Sequence, residues 1–436
     1  MAEPGEPGAG GAAAAPADVR RRKKAVEELT LFSRRDPLFA AFLPVGRPNM
    51  GDKAEFMGLM EAMWDSRMLA NRGPMVQAFE AALCAFLGVR NFVTMCNGTV
   101  ALEIAARALG MSGEVIVPSF TFVATAHCLQ WQEITPVFCD VDPITHLMDP
   151  AKVEALVTPR TTGIIAVHLW GQPCDVRALQ AIADRRGLKL MYDAAHAMGC
   201  SVGDRKVGNF GNCEVFSFHA TKFFNTFEGG GVATNDDALA RDIRQRANFG
   251  FTGYDTVVCV GTNGKMVEPC AAMGLVNLKL LDRFIDVNRA NYEAYAATIG
   301  TIPGIRLYRY DTAAARVNYQ YIVLEVDEAV TLLTRDELVS LLTCENVSAR
   351  RYFHPGVHQM QPYKAYFPHA SLLLPETAKL TARIICLPTG TSISETQIRQ
   401  VDELLRFCLA NAAEIKLRIA ALPYPAPIAP GELPPP

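Results

Sequence analysis

Short apolar runs alternate with longer amphipathic stretches along most of this chain. From about residue 90, apolar runs of strand length fall at 91–96, 114–118, 136–140, 163–168, 188–193, 214–218 and 231–234. Helix-like patterns lie between them at 99–109, 122–131 and 175–186. The alternation predicts an α/β fold: a largely parallel seven-stranded sheet with helices on both faces. A long helix over 278–299 leads into a different rhythm. A strand at 319–326, a helix at 335–344, a strand at 383–387 and a last helix from Glu395 to about residue 417 follow, with Ser394 placed to cap that helix. This predicts a smaller C-terminal α+β domain. The expected division is a disordered N-terminal tail (1–30), a large domain (31–290), a small domain (291–420) and a proline-rich tail (421–436). There is no internal repeat.

Composition narrows the classes. Half of the residues are hydrophobic and 20% are charged, which is ordinary globular usage. A formal charge of −3 offers no nucleic-acid surface, and the one basic run, 20–24, reads as a solvated arm. No apolar stretch is long enough to span a bilayer. The start is not a secretory signal, because charges follow its alanine run instead of preceding it. The 12 cysteines form no C-x-x-C pair, and several sit among apolar residues. They read as reduced, mostly core residues of a cytoplasmic protein.

Three strand ends carry candidate chemistry. Cys96-Asn97-Gly98-Thr99 joins a strand to a helix. The unpaired N–H groups of such a helix start suit a phosphate, with the Thr99 hydroxyl beside them, or need only a plain cap. Asp193 closes the run Met191-Tyr192-Asp193 at a carboxyl edge, where open α/β sheets bind ligands. It could hold a pyridinium nitrogen protonated, or cap the next helix. Lys222 follows Phe216-Ser217-Phe218-His219-Ala220-Thr221 and precedes Glu228-Gly229-Gly230-Gly231. A lysine there could join an aldehyde cofactor, its amine freed by low hydration and a neighbouring cation. The glycines permit close backbone approach. Each feature alone has an ordinary structural reading; the set of three fits pyridoxal phosphate.

Two rival chemistries fail. Gly261-Thr262-Asn263-Gly264-Lys265 resembles part of a P-loop, but position 259 is Cys and Met266 replaces the required hydroxyl residue. No G-x-G-x-x-G follows the first strand. His354 and His358 have helix-ligand spacing for a metal, yet Pro355 between them breaks the helix that would align them.

At these motifs the chain resembles the DegT/DnrJ/EryC1/StrS family of PLP-dependent sugar aminotransferases, over roughly residues 43–410. Matching segments stand in family order: Val45-Gly46-Arg47-Pro48, Asn71-Arg72-Gly73-Pro74, Asn97-Gly98-Thr99 and Pro118-Ser119-Phe120-Thr121-Phe122-Val123-Ala124-Thr125. Then come Val167-His168-Leu169-Trp170-Gly171, Asp193-Ala194-Ala195-His196, the run from Ser217 to Lys222 with Glu228-Gly229-Gly230, and Gly261 to Met266. The resemblance implies a fold-type-I aminotransferase that binds pyridoxal 5′-phosphate. Lys222 would be the catalytic lysine and Asp193 the ring-nitrogen partner. Gly98, Thr99 and Ser217 would hold the phosphate, and Phe122 would stack on the ring. His196, where many members have Gln, would lie near the ring hydroxyl. Asn263 would reach the cofactor phosphate of the neighbouring subunit, so a homodimer with shared sites is implied.

The reaction implied is amino transfer from L-glutamate or glutamine to a keto sugar, foremost a nucleotide-linked 4-keto-6-deoxyhexose. A 3-keto nucleotide sugar, a keto-cyclitol such as scyllo-inosose, and a non-catalytic regulatory role are the alternatives. Dehydratase members carry His at the lysine position, so Lys222 argues for amino transfer. Asn71, Arg350, Arg351 and His358 are candidates for the acceptor and its phosphates.

Overall fold

The computed structural model describes residues 23–33 and 35–422 of the 436. The low-complexity start, Arg20 to Arg22 and the proline-rich stretch from residue 423 lie outside the described residues. Seven strands form one sheet: β1 (Asn91–Met95), β2 (Glu114–Pro118), β3 (Thr135–Cys139), β4 (Thr161–Val167), β5 (Lys189–Asp193), β6 (Cys213–Ser217) and β7 (Gly230–Thr234). Their order across the sheet is β1-β7-β6-β5-β4-β2-β3. Strands β2 to β6 pair in parallel, while β7 runs antiparallel between β1 and β6. Every residue of β2 and of β7 is buried, as helices on both faces require.

Strand register prepares the site. Asp193 lies opposite Val167 on one side and Val215 on the other. Gly230, the first residue of the reversed strand, lies opposite both Met95 and Ser217. The carboxyl ends of β1, β5 and β6 therefore meet at one edge, with the start of β7 between two of them.

Several helices differ from expectation. The one over 122–131 shortens to Ala124–Gln130. The one over 278–299 starts at Leu281 and runs to Thr298; a further helix, Glu268–Leu278, precedes it across a turn in which Leu280 N–H donates to the Asn277 carbonyl at 3.0 Å. The last is two, Glu395–Ala410 and Ala412–Ala420. At the break the Asn411 side chain donates to the Phe407 carbonyl at 2.8 Å, in competition with the backbone ladder. Ser394 and Gln397 form a capping box at the start of the first of these.

Beyond the sheet, Ile305–Leu307, Ile322–Val326 and Ile384–Leu387 make an antiparallel sheet. Its core includes Tyr295, Leu338, Ile398 and Ile415. That core corrects the expected N-terminal tail, because Val26 and Leu29 are buried in it. Lys23 is no solvated arm residue either. Its ammonium is 3.4 Å from Glu345, and its side chain is only 8% exposed. The small domain also gives a segment back: Val357, Tyr363 and Leu374 pack in the large-domain core with Leu129 and Phe138. Among the described residues no helix is long and apolar enough to cross a membrane.

Glu345 pins Lys23, Thr30 and Leu38 to this core. Its two oxygens accept N–H bonds from Thr30 at 2.8 Å and Leu38 at 2.6 Å, besides pairing with Lys23. Glu345→Ala would strand two backbone donors and leave the Lys23 ammonium with only neutral acceptors, among them the Glu28 and Asp36 carbonyls at 2.9 Å. A loss of about 3 kcal/mol is expected, measured by chemical denaturation against the parent. Unchanged stability would mean that the packing of Val26 and Leu29 does not depend on this clamp.

Candidate active site

Four strand ends and one loop deliver the pieces. After β1, the Asn97 side chain caps the helix Gly98–Ala108, accepting the Val100 N–H at 2.8 Å. Gly98 sits against Ser217 at the end of β6: a Cβ on Gly98 would come within 2.9 Å of the Ser217 Cβ. A Cβ on Gly230 would stand 2.6 Å from both the Gly98 nitrogen and the Phe216 carbonyl oxygen. These contacts allow no side chain at either glycine, and they press the helix start against the end of β6.

Asp193 ends β5, buried. Its Oδ2 accepts the Thr125 hydroxyl at 2.9 Å and its Oδ1 the Ala195 N–H at 3.0 Å. Burial pushes its carboxyl up from the ordinary value. The Ala195 amide, the Thr125 hydroxyl and the Lys222 and His168 charges pull it back. The polypeptide then turns through Phe218, whose N–H donates to the Gly229 carbonyl at 2.8 Å, and Lys222 N–H donates to the His219 carbonyl at 2.8 Å. Loss of hydration brings the Lys222 ammonium down to about 8, against an upward pull from Asp193. Low hydration acts as expected, but the charge beside the lysine is a carboxylate, not the expected cation.

His196 is buried, and burial together with the Lys222 charge holds it well below its ordinary value, hence neutral. Its Nε2 is 3.3 Å from the Tyr321 hydroxyl, while its Nδ1 is buried without a partner. The Trp170 and Phe353 rings lie nearly parallel to it, 6.4 and 6.2 Å away.

A cavity of about 490 Å³ joins these groups. It brings together Gly98, Thr99, Phe122, Asp193, His196, Ser217, Lys222 and Arg350 of the sequence-based candidates. Phe122, just before the shortened helix, is 60% exposed and borders the cavity. Other candidates are elsewhere. Asn71 lines a separate cavity beside Glu80 and Arg244. Asn263 is exposed and bridges to Asn248. His358 does not line the cavity either. It is buried, bonded through Nδ1 to the Ser119 hydroxyl at 2.7 Å and packed near Phe138. Arg351 pairs with Asp336 at 3.3 Å. Sequence reasoning missed Thr125 and Tyr321. Thr125 stood in a quoted motif, and a hydroxyl one turn into a helix beside a strand-end acid was the available signal.

A family model described as "DegT/DnrJ/EryC1/StrS aminotransferase family" matches residues 51–406. A "dTDP-4-amino-4,6-dideoxy-D-glucose transaminase" of Shigella dysenteriae is 37% identical over 374 residues, covering 85% of this chain and 98% of that one. A crystal structure of DesI in the presence of its TDP-sugar product is 45% identical, with a TM-score of 0.87, and covers 91% of this chain and all of that one. The structure of DesV from S. venezuelae in complex with a ketimine intermediate is 29% identical, with a TM-score of 0.77, over 83% and 98% of the two chains.

An amine held near 8 is free above that pH and an ammonium below it. Trinitrobenzenesulfonate labelling of the cofactor-free protein, read by peptide mass, should modify Lys222 with a rate midpoint near pH 8, not near the ordinary lysine value of about 10.4. The Asp193 carboxylate raises the lysine, so Asp193→Asn should move the midpoint down. An ordinary midpoint in both proteins would contradict the desolvation of Lys222.

Proposed function

The chain belongs to the DegT/DnrJ/EryC1/StrS aminotransferase family, and on that premise we propose the following reaction. The protein transfers an amino group from L-glutamate to the C4 ketone of a nucleotide-linked 4-keto-6-deoxyhexose, using pyridoxal 5′-phosphate in the large cavity. One observation carries the chemistry: a buried strand-end carboxylate and a desolvated lysine amine share that cavity. The acceptor is supported by two relatives, one named for a 4-amino-4,6-dideoxy sugar on dTDP and one crystallised with its TDP-sugar product.

The residues present fit the cofactor. The unpaired Nδ1 of His196 is a buried polar atom that a ring hydroxyl would satisfy. The close approach of Gly98, Ser217 and Gly230 shapes a backbone cradle at a helix start, suited to a phosphate. The exposed ring of Phe122 offers a face for stacking. When bound, pyridoxal phosphate supplies an aldehyde that takes up the donor nitrogen and a ring that draws electrons from the reacting carbon.

The protein's own groups do the rest. Asp193, held by Thr125 and Ala195, would keep a ring nitrogen protonated. The Gly98 and Thr99 amides and the Ser217 hydroxyl would hold the phosphate. The Lys222 amine would hold the aldehyde and, once free, move a proton from the donor α-carbon. Its lowered basicity keeps a useful fraction unprotonated near neutral pH.

A homodimer is part of this reading. Phe249, Phe251, Val257, Val258 and Val260 form an exposed apolar stretch just before Asn263. Covering that stretch with a second copy would take Asn263 to the neighbour's phosphate site. A cytoplasmic location fits the cysteines, none of which is paired among the described residues.

Borohydride reduction of the holoenzyme, followed by peptide mass, should leave a pyridoxyl adduct on Lys222. An adduct elsewhere, or none, refutes the lysine assignment. In a panel of 4-keto and 3-keto nucleotide sugars and scyllo-inosose, the 4-keto-6-deoxyhexose should gain the amine with the highest kcat/KM. Preference for either other acceptor would move the aminated position.

A further inference from the structure

A neutral imidazole carries one hydrogen, and its other nitrogen can only accept. His196 is such a ring, held neutral inside the large cavity by burial and the Lys222 charge. Trp170 and Phe353 lie nearly parallel to it, so its plane is fixed. Its Nε2 meets the Tyr321 hydroxyl at 3.3 Å, and its Nδ1 is buried without a partner. Tyr321 comes from the small domain, just before the strand Ile322–Val326, with its ring centroid 4.9 Å from that of His196. Two arrangements satisfy this contact. The imidazole N–H can donate to the phenol oxygen, or the phenol can donate to the imidazole lone pair. Chemistry favours the second. A phenol, with an ordinary pKa of about 10, gives up its hydrogen far more readily than a neutral imidazole, and an imidazole nitrogen, at about 6.5, is the stronger acceptor. At 3.3 Å the bond is long, as bonds in a site often are before a ligand is seated.

We propose that Tyr321 is a positioning residue: its hydroxyl donates to Nε2 of His196, sets the hydrogen on Nδ1, and so makes His196 a donor to the oxygen on the cofactor ring. The inference rests on the pyridoxal phosphate reading above and adds the direction of one hydrogen bond. Direction decides charge. A donor steadies the ring oxygen as an anion. With the hydrogen on Nε2 instead, a bare Nδ1 would accept and hold that oxygen protonated. Asp193, Lys222, His219, Glu228 and Arg350 share the cavity. Among the described residues, however, only the Tyr321 hydroxyl is hydrogen-bonded to a nitrogen of this ring. A small-domain residue thereby sets the proton placement of a large-domain histidine.

The test compares the parent with Tyr321→Phe and Tyr352→Phe. Phe keeps each ring and its packing, so folding should survive; thermal midpoints check this. The first readout needs no cofactor. Nitrogen-15 spectra of histidine-labelled protein, with the His196 signals identified by their loss in His196→Gln, should show a hydrogen-bearing Nδ1 and a bare Nε2 in the parent. Tyr321→Phe should cut that bias by about fivefold, the worth of one ordinary hydrogen bond. The second readout is the visible band of the holoenzyme against pH. A donor at the ring oxygen weakens its hold on the proton it shares with the Lys222 nitrogen, so losing the donor should move the midpoint up, by about half a unit or more. Tyr352 packs beside Tyr321, 5.5 Å between centroids, without a bond to His196, and Tyr352→Phe should leave both readouts unmoved. A parent with its hydrogen on Nε2, or a Tyr321→Phe protein unchanged in both readouts, would overturn the proposal. So would equal shifts in the two variants, which would mark a packing effect. A moved tautomer with an unmoved band would overturn the link to the cofactor. A parent that shows no visible band with pyridoxal phosphate fails the cofactor reading, and the ring spectra still decide the tautomer.

Discussion

A carboxylate and an amine share one poorly hydrated pocket at the edge of the large sheet, and most of the architecture serves to keep them there. Asp193 would drift toward its neutral form from burial alone; the Thr125 hydroxyl and the Ala195 amide favour its charge. Lys222 would be a fully charged ammonium in water; desolvation brings it within reach of neutral pH. Neither group would be useful without the other constraint. The sheet supplies the acid at a strand end, and the turn between β6 and β7 supplies the lysine.

The packing around that pair explains two unusual features of the chain. The reversed strand β7 lets Gly230 touch the start of the helix at Gly98 and the end of β6 together. A side chain there would push the helix start away from Ser217. The small domain then contributes to the pocket: Tyr321, Arg350, Tyr352 and Phe353 line it. A buried polar chain ties the two domains. Trp170 N–H donates to His146 Nδ1 at 3.2 Å, so the hydrogen of that ring lies on Nε2 and donates to Glu325 at 2.9 Å. Trp170 also flanks His196 and Phe353. The fixed tautomer of one remote histidine thus holds a ring beside the candidate cofactor contact.

The fold was legible because buried parallel strands are apolar along their whole length and their turns are polar. Glu114–Pro118 and Arg335–Cys344 fall where periodicity placed them. The site was legible for residues on strand ends, because topology fixes where those ends meet. It was less legible where partners come from afar. Lys23 looked like part of a basic arm, since its partner Glu345 lies more than 300 positions away. His358 looked like a ligand beside Arg350 and Arg351, yet Ser119 of the large domain takes it inward. A charge next to Lys222 was foreseen, but its sign depends on Asp193, which lies a strand away.

The central claim is that this pocket moves an amino group through Lys222 opposite Asp193. Its most direct test is a single turnover with L-glutamate alone. Holoenzyme mixed with excess donor and no acceptor should release one equivalent of 2-oxoglutarate per active site and lose the visible absorbance of the bound aldehyde. Lys222→Ala, loaded with the same cofactor, should release little or none on that timescale. Release by Lys222→Ala at the parent rate, or none by the parent with any amino donor, would contradict the account.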